Sequence, residues 1–424
     1  MKALLRHYVM LLLRFLAQRR LAVIKPTIIG VTGSVGKTGA KEAIADVLSR
    51  RQKVKRSQKN YNTEFGAMLT ILDQNSAAVS PGQWFKIVWT SLWQSLKSPE
   101  AYDLLVMEMG VNKPGDMDEM LKIFTPNVMV YLNVMDTHIG ETQFANRQAI
   151  FEEKAKAVVA VKKEDWVVLN IDDNFVKQLE GKLPARTVTI GEAPDADIRA
   201  SNIMTTDKGL SFDVSYDAKT MPISLPHVLG DCHVTMALSA IAVGLLHGVA
   251  WSAIEKGLEE FHLPPGRMNR LEGLNGSLLI DSSYNASPAT MEAALDVLAK
   301  FSGRRIAALG TMNELGELSD SAHLKLGKQV AGKANMLLAV GPQAQHIAEG
   351  AQRGGMSASM IHLFRTSKEA GVFLSAMLSS HDVVLAKGSQ NGVRMEHLVK
   401  ACMKYPEEAR QQLVRQEPHW MTQL

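Results

Sequence analysis

The chain has 424 residues, 46% of them hydrophobic and 21% charged, with a formal net charge of +4. Such a composition belongs to a folded globular protein, and the length calls for roughly two or three domains. The charge is too small to argue for nucleic acid as a partner, and the aromatics are not interleaved with Lys and Arg as a single-strand binder needs. Cys232 and Cys402 stand alone, which argues against structural zinc and suits a reducing compartment.

The periodicity predicts a basic amphipathic helix over residues 1–25. Leu4, Leu5, Tyr8, Val9, Leu11, Leu12, Phe15 and Leu16 share one broad helical face, with Lys2, Arg6, Arg14, Gln18 and Arg20 mostly opposite. The uncharged run from Tyr8 to Leu13 is too short to span a bilayer, and no small-residue cleavage site follows it. The first reading is a helix packed on its own domain or on a partner; the alternative is a helix lying on a membrane surface.

Residues Gly30 to Lys41 read G-V-T-G-S-V-G-K-T-G-A-K. They follow the strand-like Thr27-Ile28-Ile29 and lead into the helical pattern Glu42 to Leu48. Strand, glycine loop, Lys-Thr and helix together make a nucleotide phosphate cradle, in which glycines let backbone N–H groups converge on phosphate oxygens. Val31 stands where the strict eight-residue pattern wants its first glycine, so the shorter T-G-x-x-G-K-T form is the one that fits. Gly33, Ser34, Val35 and Gly36 are the candidate cradle, Lys37 the candidate partner of the β- and γ-phosphates, and Thr38 the candidate Mg2+ ligand.

Continuous apolar runs, suited to a parallel sheet buried on both faces, follow at Asp103 to Met109, Asn127 to Asn133 and Trp166 to Asn170, with helical stretches such as Gln148–Val161 between them. The fold class is therefore α/β, with a nucleotide-binding P-loop domain over 26–263 built on a mainly parallel sheet. From about residue 186 to 226 short strand-like pieces suggest a small, mainly β insertion, after which Val234–Leu246 resumes a helix. The turn Leu263-Pro264-Pro265-Gly266 marks a boundary. Beyond it strand and helix alternate again at Leu278 to Asp281, Ile306 to Leu309, Met336 to Val340 and Val383 to Ala386, which predicts a Rossmann-like α/β domain over 264–424.

Several polar residues follow predicted strand ends, where open α/β sheets place ligands. Glu108 can complete a Mg2+ shell begun by Thr38, or simply meet a lysine. His138 follows the run Asn133 to Thr137 and by itself reads as a partly buried polar group. Lys154, in Glu152-Glu153-Lys154-Ala155-Lys156, reads as part of a solvated charged helix face. Asp281 can bind ribose hydroxyls or start a turn. Lys387 and Ser389 open a loop suited to an anionic substrate, or a plain turn.

In combination these segments resemble the Mur ligase superfamily over residues 26–400, most closely its D-alanyl-D-alanine-adding branch. The resemblance rests on the loop Gly33 to Thr38, Asn60 to Gly66, Glu108-Met109-Gly110 with Pro114-Gly115-Asp116, and Asn133 to His138. It rests equally on Pro265-Gly266-Arg267, Asp281 to Pro288, Leu309 to Gly316, His323 and Lys387-Gly388-Ser389. It implies Glu108 and His138 as magnesium ligands, and Lys154 as a carbamylated lysine that helps hold a second Mg2+, which overrides the surface reading. It implies Arg267 reaching the nucleotide, Asp281 near the ribose, and Tyr284 and Asn285 beside the adenine. Asn60, Asn62, Lys387 and Ser389 are implied as substrate-binding.

The implied activity is amide synthesis in the cytoplasm on a small-molecule acid and amine, within peptidoglycan precursor synthesis. A carboxylate attacks the γ-phosphate of ATP, giving an acyl phosphate and ADP; the amine of an amino acid or dipeptide then displaces phosphate. The alternatives are a ligase of the same kind acting on an acid without UDP, and a non-catalytic nucleotide-binding regulator. Gly39, Ala40, Met236 and Gln390 depart from the family pattern. About 25 residues precede the first strand, where the family has a UDP-sugar-binding domain. The acyl donor is therefore expected to lack UDP, to bind differently or to arrive with a partner.

Overall fold

The computed structural model describes residues 2–57, 61–74, 87–93, 101–136, 143–390, 392–417 and 420. The chain forms two compact units. The first comprises Met1–Asn202, Phe212–Ile223 and His233–Glu259; the second comprises Ile203–Ser211, Ser224–Cys232 and Glu260–Leu424.

In the first unit strand β1 (Thr27–Thr32) follows helix α1 (Lys2–Ile24) and leads into helix α2 (Lys37–Leu48). Then come β2 (Val54–Arg56), α3 (Glu64–Ile71), a short α4 over 87–93, β3 (Leu104–Glu108) and α5 (Asp116–Leu121). After these follow β4 (Val128–Tyr131), α6 (Arg147–Val159), β5 (Trp166–Asn170) and β6 (Arg186–Gly191). The nine-stranded sheet, in the order β2-β3-β1-β4-β5-β6-β7-β8-β9, ends with β7 (Ile198–Thr206), β8 (Gly209–Tyr216) and β9 (Lys219–Leu225), whose residues 203–206, 209–211 and 224–225 belong to the second unit. Pairing is parallel from β2 through to β7. The predicted β insertion is thus not a separate piece: β6 pairs parallel to β5 and β7 to β6, so they extend the main sheet. Local sequence marks these runs as strands, but only pairing over distance says which sheet they join.

The apolar runs are continuous because both faces of this sheet are covered. On one face Ile28, Leu105, Met107, Met129, Tyr131, Val167 and Leu169 share a core with residues of α1, α3, α5 and α6. On the other, α2 packs against the helices Val234–Leu246 and Trp251–Glu259. Strand β1 lies between β3 and β4, so the chain order reverses there, which makes its carboxyl end the expected ligand crevice.

Helix α1 departs from its predicted amphipathic face. Leu13, Leu16 and Ala17 enter the core, whereas Tyr8, Leu11 and Phe15 stay exposed. Arg14, predicted to face water, turns inward to Glu64 at 2.6 Å and Glu119 at 2.7 Å, and Arg20 is buried against Asp73. The acids waiting on α3, α5 and residue 73 rotate the helix, and they cannot be seen from α1 itself.

The second unit is built on β10 (Asn269–Glu272), β11 (Leu278–Ser282), β12 (Arg305–Gly310), β13 (Met336–Val340), β14 (Ile361–Phe364) and β15 (Val383–Lys387). Their order is β10-β11-β15-β12-β13-β14, all parallel except β10 against β11. Alternate residues of these strands enter separate cores on the two faces, Ile280, Leu309 and Leu385 in one and Leu279, Ala308 and Val384 in the other. A Rossmann-like sandwich results, as the alternation predicted.

Leu13→Ala, at a fully buried position, is expected to lower unfolding free energy by about 2–4 kcal/mol in urea titration. Phe15→Ala, with Phe15 59% exposed, is expected to change it by less than about 0.5 kcal/mol.

Candidate active site

The loop between β1 and α2 is shaped by two glycines. A Cβ at Gly33 would lie 2.9 Å from Leu132 Cβ and 3.2 Å from Asn133 N, and Gly36 caps α2 with φ 83°, a left-handed conformation that glycine adopts without strain. Asn133, at the end of β4, clamps the loop. Its Oδ1 accepts from Ser34 N at 3.1 Å and Val35 N at 3.0 Å, and its Nδ2 donates to Val35 O at 3.1 Å. Ser34 Oγ in turn accepts from Met135 N at 2.9 Å. The first amides of α2, which a helix cannot satisfy internally, open beside this loop.

Two lysines converge on one carbonyl. Lys37 Nζ donates to Gly33 O at 2.8 Å and to Ser34 O at 3.0 Å, and Lys154 Nζ donates to the same Gly33 O at 3.1 Å. Lys154 is only 2% exposed. Helix α6 starts at Asn146, whose side chain accepts from Ala149 N, and it buries Ile150, Phe151, Glu153, Lys154, Ala157 and Val158 along one face. The charged-face reading of Lys154 from its immediate neighbours is therefore wrong: Glu152 faces out, while Glu153 and Lys154 face in. Glu153 is used locally, accepting from Gly115 N at 3.0 Å and Met117 N at 2.8 Å at the start of α5. Burial drives the Lys154 amine well below its ordinary range, the Lys37 charge pushes the same way, and Glu108 and Glu153 oppose them.

Glu108, buried at the end of β3, accepts from Thr38 Oγ1 at 2.9 Å and from Asn62 Nδ2 at 3.5 Å. Thr38 and Glu108 offer a hydroxyl and a carboxylate, an all-oxygen donor pair that fits Mg2+. Asn60 and His138 lie outside the described residues.

In the second unit the predicted residues also gather at strand ends. Asp281 on β11 is fully buried; its Oδ1 accepts from Ser283 N at 3.0 Å, and its Oδ2 has no hydrogen-bond partner among the described residues. An orphaned carboxylate oxygen at a strand end fits a hydroxyl donor such as a ribose. Burial is the main cause that pushes the Asp281 carboxyl up to about 6. Lys387 ends β15 in parallel register with Ser282, donates to Ser282 Oγ at 3.0 Å and to Asn285 O at 2.8 Å, and is lowered by burial to about 8. Ser389 Oγ donates to Ala286 O at 3.2 Å and accepts from Asn313 N at 2.9 Å. The Arg267 guanidinium sits 4.1 Å from the Tyr284 ring centroid. His323 is structural: its Nδ1 donates to Ser319 O at 2.7 Å and its Nε2 accepts from Met312 N at 2.8 Å.

Sequence reasoning missed three supports of these loops. Asn133 appeared only as the first residue of a motif. Arg415 donates to Ser283 O at 2.6 Å and Tyr284 O at 3.2 Å, and both its Nε and Nη2 reach Glu396 at 2.8 Å. The two residues of this buried pair lie 19 positions apart and carry no pattern that could announce them.

A strand–loop–helix turn with a buried carboxylate and two convergent lysines in the first unit fits an ATP-dependent ligase that forms amide bonds. The family model for the Mur ligase middle domain matches residues 31–244, and that for the Mur ligase, glutamate ligase domain matches 266–390. The chain belongs to the Mur ligase family. It is 27% identical to the UDP-N-acetylmuramoyl-tripeptide–D-alanyl-D-alanine ligase of Bacillus subtilis, over 93% of this chain and 79% of that one. With the enzyme of the same name from Mycobacterium tuberculosis strain H37Rv it shares 30% identity over 86% and 70%. Among solved structures, MurF ligase from Thermotoga maritima in complex with ADP superposes with a TM-score of 0.76 at 26% identity, covering 93% of this chain and 84% of that one. MurF from Acinetobacter baumannii gives 0.74 at 27%, covering 91% and 79%. Among the described residues no helix is long and apolar enough to cross a membrane.

The raised Asp281 carboxyl makes the folded state bind more protons than the unfolded chain between about pH 4 and about pH 6, so its contribution to stability falls as pH rises through that window. Asp281→Asn lacks this term. Its melting temperature relative to the parent chain is expected to climb from pH 4 to pH 6 and then level off; parallel curves in the two proteins would contradict the assignment.

Proposed function

We propose that this ligase joins D-alanyl-D-alanine to an acid of the UDP-N-acetylmuramoyl-tripeptide class, in peptidoglycan precursor synthesis in the cytoplasm. The reading is supported by the names of its relatives. ATP binding is assigned to residues 26–263 and the C-terminal ligase part to 264–424, although Ile203–Ser211, Ser224–Cys232 and residues 260–263 pack with the second unit. The observation that carries the mechanism is Lys154, buried and driven toward the neutral amine beside Lys37. A neutral amine is what carbamylation needs: nitrogen adds to the carbon of CO2, a proton leaves, and an anionic carbamate remains. A solvated ammonium would not react in this way.

Lys37 leaves the carbonyls of Gly33 and Ser34 for the β- and γ-phosphates of ATP, over a loop formed by Gly33, Ser34, Val35 and Gly36. Thr38, Glu108, His138 and the Lys154 carbamate are assigned to two Mg2+ ions, with His138 assigned on the family resemblance alone. Bound Mg2+ neutralises phosphate charge during transfer. The donor carboxylate attacks the γ-phosphorus, ADP leaves, and the amine then attacks the acyl carbon and expels phosphate. Arg267, Asp281, Tyr284 and Asn285 are assigned to the nucleotide, and Asn60, Asn62, Lys387 and Ser389 to the acid and amine substrates. Residues 1–24 make a peripheral contact with a membrane surface at its inner face or with a partner protein.

Phosphate release from ATP is expected to require an acid and an amine together, with product masses identifying the pair; release indifferent to every amine in a broad panel would refute the ligase assignment. Lys37→Ala is expected to slow release by about 10²-fold or more. Lys154→Ala is expected to lose activity and to regain part of it with a short-chain carboxylate, and wild-type activity in that variant would remove the carbamate role.

A further inference from the structure

Helix α1 is apolar on two sides. Leu13, Leu16 and Ala17 fill the core of the first unit, and Arg14 and Arg20 fasten the helix by ion pairs to Glu64, Glu119 and Asp73. The opposite side presents Tyr8, Leu11 and Phe15, at 61%, 43% and 59% exposure. Their spacing of three and four residues aligns them on one stripe. A helix apolar on both sides is ordinarily covered on both. A second apolar element is tied to the same turn of chain. Arg20 reaches Asp73, and the next residue, Gln74, accepts from Thr90 Oγ1 of α4 at 2.9 Å. Helix α4 exposes Trp89 and Trp93, one turn apart.

Charge identifies the occupant. Residues 1–25 contain six Lys or Arg and no Asp or Glu. Arg14 and Arg20 are consumed by ion pairs on the inner side, while Arg19 and Lys25 are exposed. An apolar aromatic stripe on a segment whose charges are all cationic, and on a helix that cannot span a bilayer, has the make-up of a helix lying in an anionic lipid interface. We infer that the outer face of α1 docks the protein on anionic membrane lipid, with Tyr8, Leu11 and Phe15 entering the headgroup–acyl boundary and Arg19 and Lys25 meeting phosphates. This deepens the peripheral contact proposed for residues 1–24 and is independent of the ligase chemistry.

The test is sedimentation of the full chain with vesicles of phosphatidylcholine alone and of phosphatidylcholine mixed with phosphatidylglycerol. Binding is expected only with the mixed vesicles and should weaken with added salt. Phe15→Glu should weaken it at least about tenfold and Arg19→Glu about fivefold or more. Both variants should keep the parent melting temperature and ATP-dependent phosphate release, so a failure here leaves the ligase assignment standing and readable by that assay. Equal binding to neutral vesicles, no binding to either, or unchanged binding by Phe15→Glu overturns the inference. Self-association of the parent chain that Phe15→Glu abolishes, without lipid binding, overturns it in favour of a second copy on this face.

Discussion

Strand β1 is hydrogen-bonded on one side to β3 and on the other to β4, and the registers bring Val31 level with Glu108 and Thr32 level with Tyr131. Because the pairing is parallel, all three strands end at the same edge of the sheet. The loop and helix start after β1 therefore arrive within hydrogen-bond reach of both the carboxylate ending β3 and the asparagine after β4. Without that alignment Thr38 would have no Glu108, and Ser34 and Val35 would lose the Asn133 side chain that holds their amides.

Desolvation is the second constraint, and it acts on what the alignment has gathered. Lys154 is delivered from a helix on the covered face of the sheet to the carbonyl that also receives Lys37. Burying an ammonium beside another cation is costly unless the proton is given up. Two lysines of the same side-chain type thus reach one carbonyl in different surroundings, and burial pushes the Lys154 amine well below its ordinary range. Their difference is one of position: Lys37 begins the helix at the loop, while Lys154 lies on the buried face of α6.

The second unit repeats the principle with different chemistry. Parallel pairing of β11 and β15 sets Lys387 against Ser282, and the segment after β11 is held from beneath by Arg415, itself gripped by Glu396. Burial raises Asp281 and lowers Lys387, so both are pushed toward their neutral forms. A loop braced through its carbonyl oxygens leaves side chains such as Tyr284 available to stack, here with Arg267.

By itself the sequence determined the α/β class, most strand positions and the glycine loop with its Lys-Thr between strand and helix, because these depend on local periodicity and on glycines that only a tight loop requires. Met336–Val340 and Trp166–Asn170 are strands to the residue. The assignment of Lys154 came from resemblance, since its neighbours argue for a solvated face. Tertiary structure alone decided which side of α1 faces the core, that β6 extends the main sheet, that Asn133 and Arg415 support the loops, and that Lys154 is buried. Each of these is set by a partner far away in the chain: an acid on another helix, a strand edge in register, a carbonyl across the sheet. Local pattern records a residue's own preference, and it carries no record of the partner that overrides it.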